Sequence, residues 1–261
     1  MGKLLEMLEQ ASRGVVQPLG FARSRKEKVP PLLLLGCAKF GDGDAVSRVV
    51  EAGFHALVWT GAESVKEGQW ASSAKGLNNL VWGTWKKDLD ATTIGGVDFE
   101  VFSSEETPIG SFEDEDEERT VVMEVAPELD ESALRTLEDL PVDVIMVSLV
   151  DAPALTVRQL MRIARVRGFN SKYLLLHLAM LPSKEELGVL REAGVSGLVV
   201  NAADHAVGEL KAFRARLEEL PSAAPHRRNE KRIATLPPLR MSPRPAHQEE
   251  EDDDDDDEEH D

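Results

Sequence analysis

Two phrases far apart in the chain are nearly the same: EAGFHALVW at 51–59 and REAGVSGLVV at 191–200. In each, an amphipathic segment closes on Glu-Ala-Gly, and within two or three residues an apolar run begins. This is the turn from helix to strand in a fold that alternates the two. The same unit recurs from 30 to 220 as a short β-branched run, a polar amphipathic stretch and then Gly or Pro. Eight such runs stand out, at 32–37, 56–59, 80–84, 99–102, 121–125, 144–150, 173–178 and 197–201. Helical patterns follow the first, fifth, sixth, seventh and eighth, at 44–52, 130–140, 156–168, 183–193 and 204–220. Ser183 and Glu186 make the Ser-x-x-Glu of a capping box, and Gly168 and Gly194 stand where left-handed C-caps belong.

This alternation predicts an α/β chain, a (β/α)8 barrel spanning 30–220. Aromatics are only 5% of residues, so the core is built of Leu, Val, Ile and Ala, as in parallel strands covered by helices. The expected barrel is irregular around strands 2 to 4. Residues 86–97 are short for a helical crossover, and 103–119 form an acidic loop where a helix would sit. The rival is a doubly wound open sheet. It would need G-x-G-x-x-G after the first strand, where Gly36, Gly41 and Gly43 have the wrong spacing. Ahead of the barrel, 1–29 read as an extra helix and a basic linker. Behind it, 221–261 read as a disordered tail, basic and Pro-rich and then acidic.

The net charge of −18 is local. Residues 249–261 hold 12 acids and 105–118 hold 8, without a single Lys or Arg, and the rest of the chain carries 28 acids against 30 bases. The body is therefore nearly neutral, and anionic ligands are not excluded. The basic stretch before the acidic end lacks interleaved aromatics, so nucleic acid is not expected. A basic protein partner for the acidic tail is a further reading. The most apolar stretch, 30–38, falls far short of the ~20 residues that span a bilayer. Cys37 is the only cysteine, which rules out an internal disulfide and fits a reducing, cytoplasmic setting.

In a barrel of this kind the chemistry comes from the C-terminal ends of the strands and the loops after them. The candidate catalytic residues are Lys39, Glu124 and His177. Glu124, between Met123 and Val125, must face either the lumen or an apolar helix layer. A lumen carboxylate near His177 and Lys39 could move a proton next to a carbonyl. The plain alternatives are a structural Lys39–Glu124 ion pair and a core histidine at 177. Thr60, Thr84, Ser148 and Asn201 are the candidate ligand-binding residues, and Trp59, Trp82 and Trp85 could stack on a flat ligand. Cys37 beside Lys39 is either an activated nucleophile or a small buried hydrophobe. No spacing indicates a metal site, and no motif names a cofactor.

The series over 31–220 resembles the aldolase-type and phosphate-binding (β/α)8 barrels, synthases and isomerases acting on phosphorylated small molecules. The resemblance implies a phosphate held on glycine-rich loops after strands seven and eight. Here those loops read HLAMLPSKEE and NAADHAVGE, with no glycine before Gly188 and Gly208. Only the amides at the helix starts near Ser183 and Asp204 remain to bind an anion. The expected function is a small-molecule-binding barrel, a lyase or isomerase of a carboxylated or phosphorylated metabolite. The alternative is a non-catalytic scaffold that recognises partners through its acidic loop and tail.

Overall fold

The computed structural model describes residues 2–13, 30–61, 65, 73, 75–77, 80–87, 96–108, 119–126 and 128–221. The linker at 14–29, most of the acidic loop and the tail beyond Pro221 lie outside them. Eight parallel strands close into a barrel in sequence order. They are β1 (Leu33–Lys39), β2 (Ala56–Thr60), β3 (Val81–Trp85), β4 (Phe99–Ser103), β5 (Thr120–Val125), β6 (Val144–Ser148), β7 (Tyr173–Leu178) and β8 (Gly197–Asn201). The ring is sealed where β8 pairs with β1, Gly197 opposite Leu33 and Asn201 opposite Cys37.

The described helices are α1 (Lys3–Arg13), α2 (Gly43–Glu51), α3 (Glu131–Thr136), α4 (Val157–Phe169), α5 (Lys184–Glu192) and α6 (Val207–Glu218). Between β2 and β5 the described helical residues are Ser73 and the 3-10 turn Lys75–Leu77, where the sequence predicts irregularity. No described helix is long and apolar enough to cross a membrane.

The Glu-Ala-Gly echo is a repeated Schellman closure. After α2, Gly53 N–H donates to Val50 C=O and Phe54 N–H to Val49 C=O; after α5, Gly194 donates to Arg191 and Val195 to Leu190. Both glycines sit at positive φ, +70° and +89°, where a Cβ is strained. The Ser183 capping box also forms, with Ser183 Oγ accepting from Glu186 N–H at 3.2 Å and Glu186 Oε2 from Ser183 N–H at 2.7 Å. Gly168 departs from expectation: it lies inside α4, and Asn170 closes that helix, its Nδ2 donating to Val166 C=O at 2.6 Å. The last helix starts later than 204, because Ala202–Asp204 form a 3-10 turn first.

Strand alternation separates two cores. Leu34, Leu57, Ile145, Leu176 and Val200 face outward and pack with Val49, Ile163, Leu187 and Phe213 from the helices. Leu35, Val58, Val101, Val122, Met146 and Val199 fill the lumen. Small residues make room for large ones there. A Cβ on Gly83 would stand 2.4 Å from the Phe99 carbonyl oxygen, and one on Gly197 2.8 Å from Leu175. The floor is closed by α1, whose Leu4, Leu8 and Ala11 join the lumen cluster. Leu5 N–H donates to Thr120 Oγ1 at 3.2 Å, and Lys3 pairs with Asp98 at 2.7 Å.

Candidate active site at the barrel mouth

The same alternation that fills the lumen delivers one side chain from the end of each strand to its upper rim. Lys39, Thr60, Trp85, Ser103, Glu124, Ser148, His177 and Asn201 share the parity of the lumen residues below them. A cavity of about 610 Å³ opens there, lined among others by Lys39, Thr60, Trp85, Glu124, His177 and Asn201. A second, of about 590 Å³, lies over β5 and β6 and includes Ser103, Glu124 and Ser148. Glu124 borders both.

Trp85 ties the rim together. Its indole Nε1–H donates to Glu124 Oε2 at 3.2 Å, and its ring meets His177 edge-on with centroids 4.8 Å apart. His177 Nδ1 lies 3.2 Å from Ser148 Oγ. Burial raises the Glu124 pKa above the usual carboxylate value; the indole hydrogen bond opposes this and the Glu105 charge adds to it. Burial lowers the His177 pKa from 6.5 to about 4, so its imidazole is neutral at pH 7. Lys39 stands exposed at the rim and makes no ion pair with any described residue. The Lys39–Glu124 pair that would have made both structural is not formed.

On the β8 side, Asn201 Nδ2 donates to Asp204 Oδ2 at 2.7 Å and its Oδ1 accepts from Ala203 N–H at 3.3 Å. From α2, Arg48 donates to the carbonyls of Ala202, Ala203 and His205 at 2.9 to 3.3 Å, so the outer layer holds this loop in place. The N-cap amides of α5 and α6 are engaged by the chain's own side chains. Glu186 takes Ser183 N–H, and Glu209 takes Ala206 N–H at 2.9 Å.

Three expected ligand-binding residues reach the two cavities, Thr60 and Asn201 in one and Ser148 in the other. Thr84 does not. It is fully buried, one position out of phase with Trp85 and therefore on the outer face of β3. Trp59 and Trp82 are likewise in the outer core, which leaves Trp85 the one tryptophan of the three at the mouth. The Cys37 thiol is no activated nucleophile: burial pushes its pKa up to about 12, outweighing a hydrogen bond with Thr60. Among the described residues no group of three or more His, Cys, Asp or Glu is placed to hold a metal ion.

Sequence reading passed over Trp85 as a partner of Glu124, because its lumen phase is set only by the register of β3 against β2 and β4. It also passed over Glu100 in the run FEVF. That carboxylate is 1% exposed on the outer face of β4, 2.8 Å from Arg119 and 3.7 Å from Lys86.

No protein-family model matches the chain, and no curated protein matches it. Solved structures do. A thiamine phosphate pyrophosphorylase from Pyrococcus furiosus is similar with a TM-score of 0.55 at 15% identity, over 72% of this chain and 96% of that one. A tryptophan synthase alpha-subunit from the same organism gives 0.54 at 12%, over 72% and 96%. A tryptophan synthase from M. tuberculosis gives 0.52 at 11%, over 72% and 92%. At these identities the likeness is one of fold alone, that of a (β/α)8 barrel.

Proposed function

We propose that the barrel mouth binds a small carboxylated or phosphorylated metabolite and acts on it as a lyase or isomerase. The observation that carries this reading is the convergence of Lys39, Glu124 and His177, from three separate strands, on one open cavity. Glu124 takes a proton from the carbon next to a substrate carbonyl. The C–H electron pair becomes the new C=C bond, and the carbonyl π pair moves onto oxygen. Lys39 stabilises that oxygen by its charge. His177, neutral at pH 7, serves by donating a hydrogen bond, since an imidazole with a pKa of about 4 is not an imidazolium acid there. With an α-hydroxy carbonyl substrate, return of the proton to the former carbonyl carbon, as the α-hydroxyl proton passes to the enolate oxygen and the α C=O forms, completes an isomerisation. With a β-substituted substrate, the oxygen pair re-forms the C=O, the C=C pair shifts to Cα=Cβ and the leaving group departs from the β carbon with its bonding pair, which completes an elimination. Trp85 fixes the carboxylate by its N–H and walls the cavity. An anionic group on the ligand is met by the lysines that line the cavity, the exposed Lys39 first among them. The rival reading, a scaffold without catalysis, predicts a filled lumen; side chains do fill the lumen below the rim, and what supports the first reading is the open cavity above them.

The test is a thermal-shift screen of the full chain against carboxylated and phosphorylated metabolites, repeated on Glu124→Gln and His177→Ala. A ligand at about 100 times its Kd adds about 2.7 kcal/mol of stability. For a domain of this size that is roughly 5 to 10 °C in Tm. The shift should vanish in Glu124→Gln, which keeps an acceptor for the Trp85 N–H and folds with equal or greater stability because it removes a desolvated carboxylate. Failure of every metabolite to bind, or an undiminished shift in both variants, overturns the reading.

A further inference from the structure

Away from the mouth, α4 is unlike the rest of the surface. Its thirteen residues, VRQLMRIARVRGF, contain four arginines and no acid, in a body whose charges otherwise nearly balance. Its inner face is ordinary, with Ile163 and Val166 buried against the barrel. Its outer face carries an apolar stripe. Val157 and Met161 are 73% and 67% exposed, the most exposed large hydrophobic side chains among the described residues. Ala164 and Gly168 are exposed as well, and a Cβ added to Gly168 would meet no atom within 4 Å.

At about 100° per residue these four positions fall in one sector roughly 60° wide. The spacing i, i+4, i+7, i+11 is the seam along which one helix receives another. Isolated exposed hydrophobics need no explanation; a three-turn seam with arginines along its edge does. Arg162 is paired with Glu128 at 2.6 Å, and Arg167 donates to the carbonyls of Asn170 and Lys172. Arg158 and Arg165 are exposed, stand on the same side of the seam, and have no partner among the described residues.

We infer that this face of α4 docks an amphipathic helix of a partner protein that carries Asp or Glu beside its own apolar seam. Charge complementarity selects that occupant. A second copy of this chain is disfavoured, because α4 against α4 sets arginines opposite arginines with no acid on either of the two helices to pair them. An anionic membrane is disfavoured too. The seam offers only two large apolar side chains, and exposed acids on the neighbouring helices, Glu131 on α3 with Glu185 and Glu192 on α5, repel a flat negative surface. The partner's seam residues pack on Val157 and Met161, and small Ala164 and Gly168 let its backbone approach at the far end. A contact of three turns lies below the standard interface size, so binding is weak and reversible, and salt weakens it further.

The probe is a fluorescein-labelled helical peptide of three heptads, with leucines at the seam and glutamates on the flanks, titrated with the full chain and followed by anisotropy. A second peptide carries lysines in place of the glutamates. Saturable binding of the glutamate peptide is expected, weakened at least about tenfold by Met161→Glu or by Arg158→Glu with Arg165→Glu. All three positions are exposed, so the fold and any ligand response of the mouth should be unchanged. Absence of saturable binding, equal binding of the lysine peptide, or full binding by the variants overturns the inference. A dimer in sedimentation velocity that Met161→Glu dissolves would overturn it in favour of a second copy. Pelleting with phosphatidylserine-containing vesicles, lost in the same variant, would overturn it in favour of a membrane.

Discussion

Glu124 and His177 share one cavity, and burial favours the neutral form of each, with opposite consequences for pH. The His177 pKa falls from 6.5 to about 4, and that of His55, buried before β2, falls equally. His55 Nδ1 accepts from Leu34 N–H at 2.8 Å, a bond that the doubly protonated ring cannot make. For both, the unfolded chain binds more protons between pH 6.5 and 4, so stability is full above that window and is lost as pH falls through it. Each histidine accounts for about 3 kcal/mol. Urea unfolding at pH 7 and pH 4 should show the loss, and His55→Gln should reduce its pH dependence; equal slopes would mean that His55 is not buried neutral. Glu124 runs the other way, its contribution falling as pH rises through its elevated pKa. Glu100 is a third case. Glu100→Gln leaves Arg119 and Lys86 buried without their anion and should destabilise by about 3 kcal/mol or more, read as a lower urea midpoint at unchanged slope.

Among the elements, the closures of α2 and α5 were legible from sequence because a Schellman motif is local: Glu-Ala-Gly followed by an apolar residue contains all its partners. The same reasoning failed at Gly168, where Asn170 supplies the cap instead. The two closures are alike in backbone and unlike in surroundings. A Cβ on Gly53 meets nothing within 4 Å, while one on Gly194 comes within 2.8 to 3.1 Å of the Arg167 side chain. Gly53→Ala should therefore cost about 1 kcal/mol, the strain of a left-handed residue alone. Gly194→Ala should cost more, because Arg167 must also give up its place and its bonds to Asn170 and Lys172. Thermal unfolding of the pair checks the order; equal losses would show that Arg167 yields freely.

For the whole molecule, the floor and the mouth are two ends of one column of side chains. α1 seals the floor with Leu4 and Leu8, both fully buried. Leu4→Ala should destabilise by about 3 kcal/mol through the lost burial and the cavity left at the barrel bottom. Double substitution with Leu8→Ala should open the lumen to an apolar dye. If dye binding and Tm stay unchanged, the helix is an ornament and the barrel closes without it.

The eight strands, their order and most of the helices were determined by the sequence alone, because period-2 and period-3.6 hydrophobicity and capping residues act over a few neighbours. The same local rule placed Glu124, His177 and Lys39 at strand ends. What only the tertiary structure decided is phase and convergence. Whether a residue such as Thr84 or Trp85 faces the lumen depends on the register of β3 against β2 and β4, and a one-residue difference reverses it. That Trp85 reaches Glu124 across 39 positions of chain, and that α1 plugs the floor, follows from barrel closure, a property of all eight strands together and of no segment by itself.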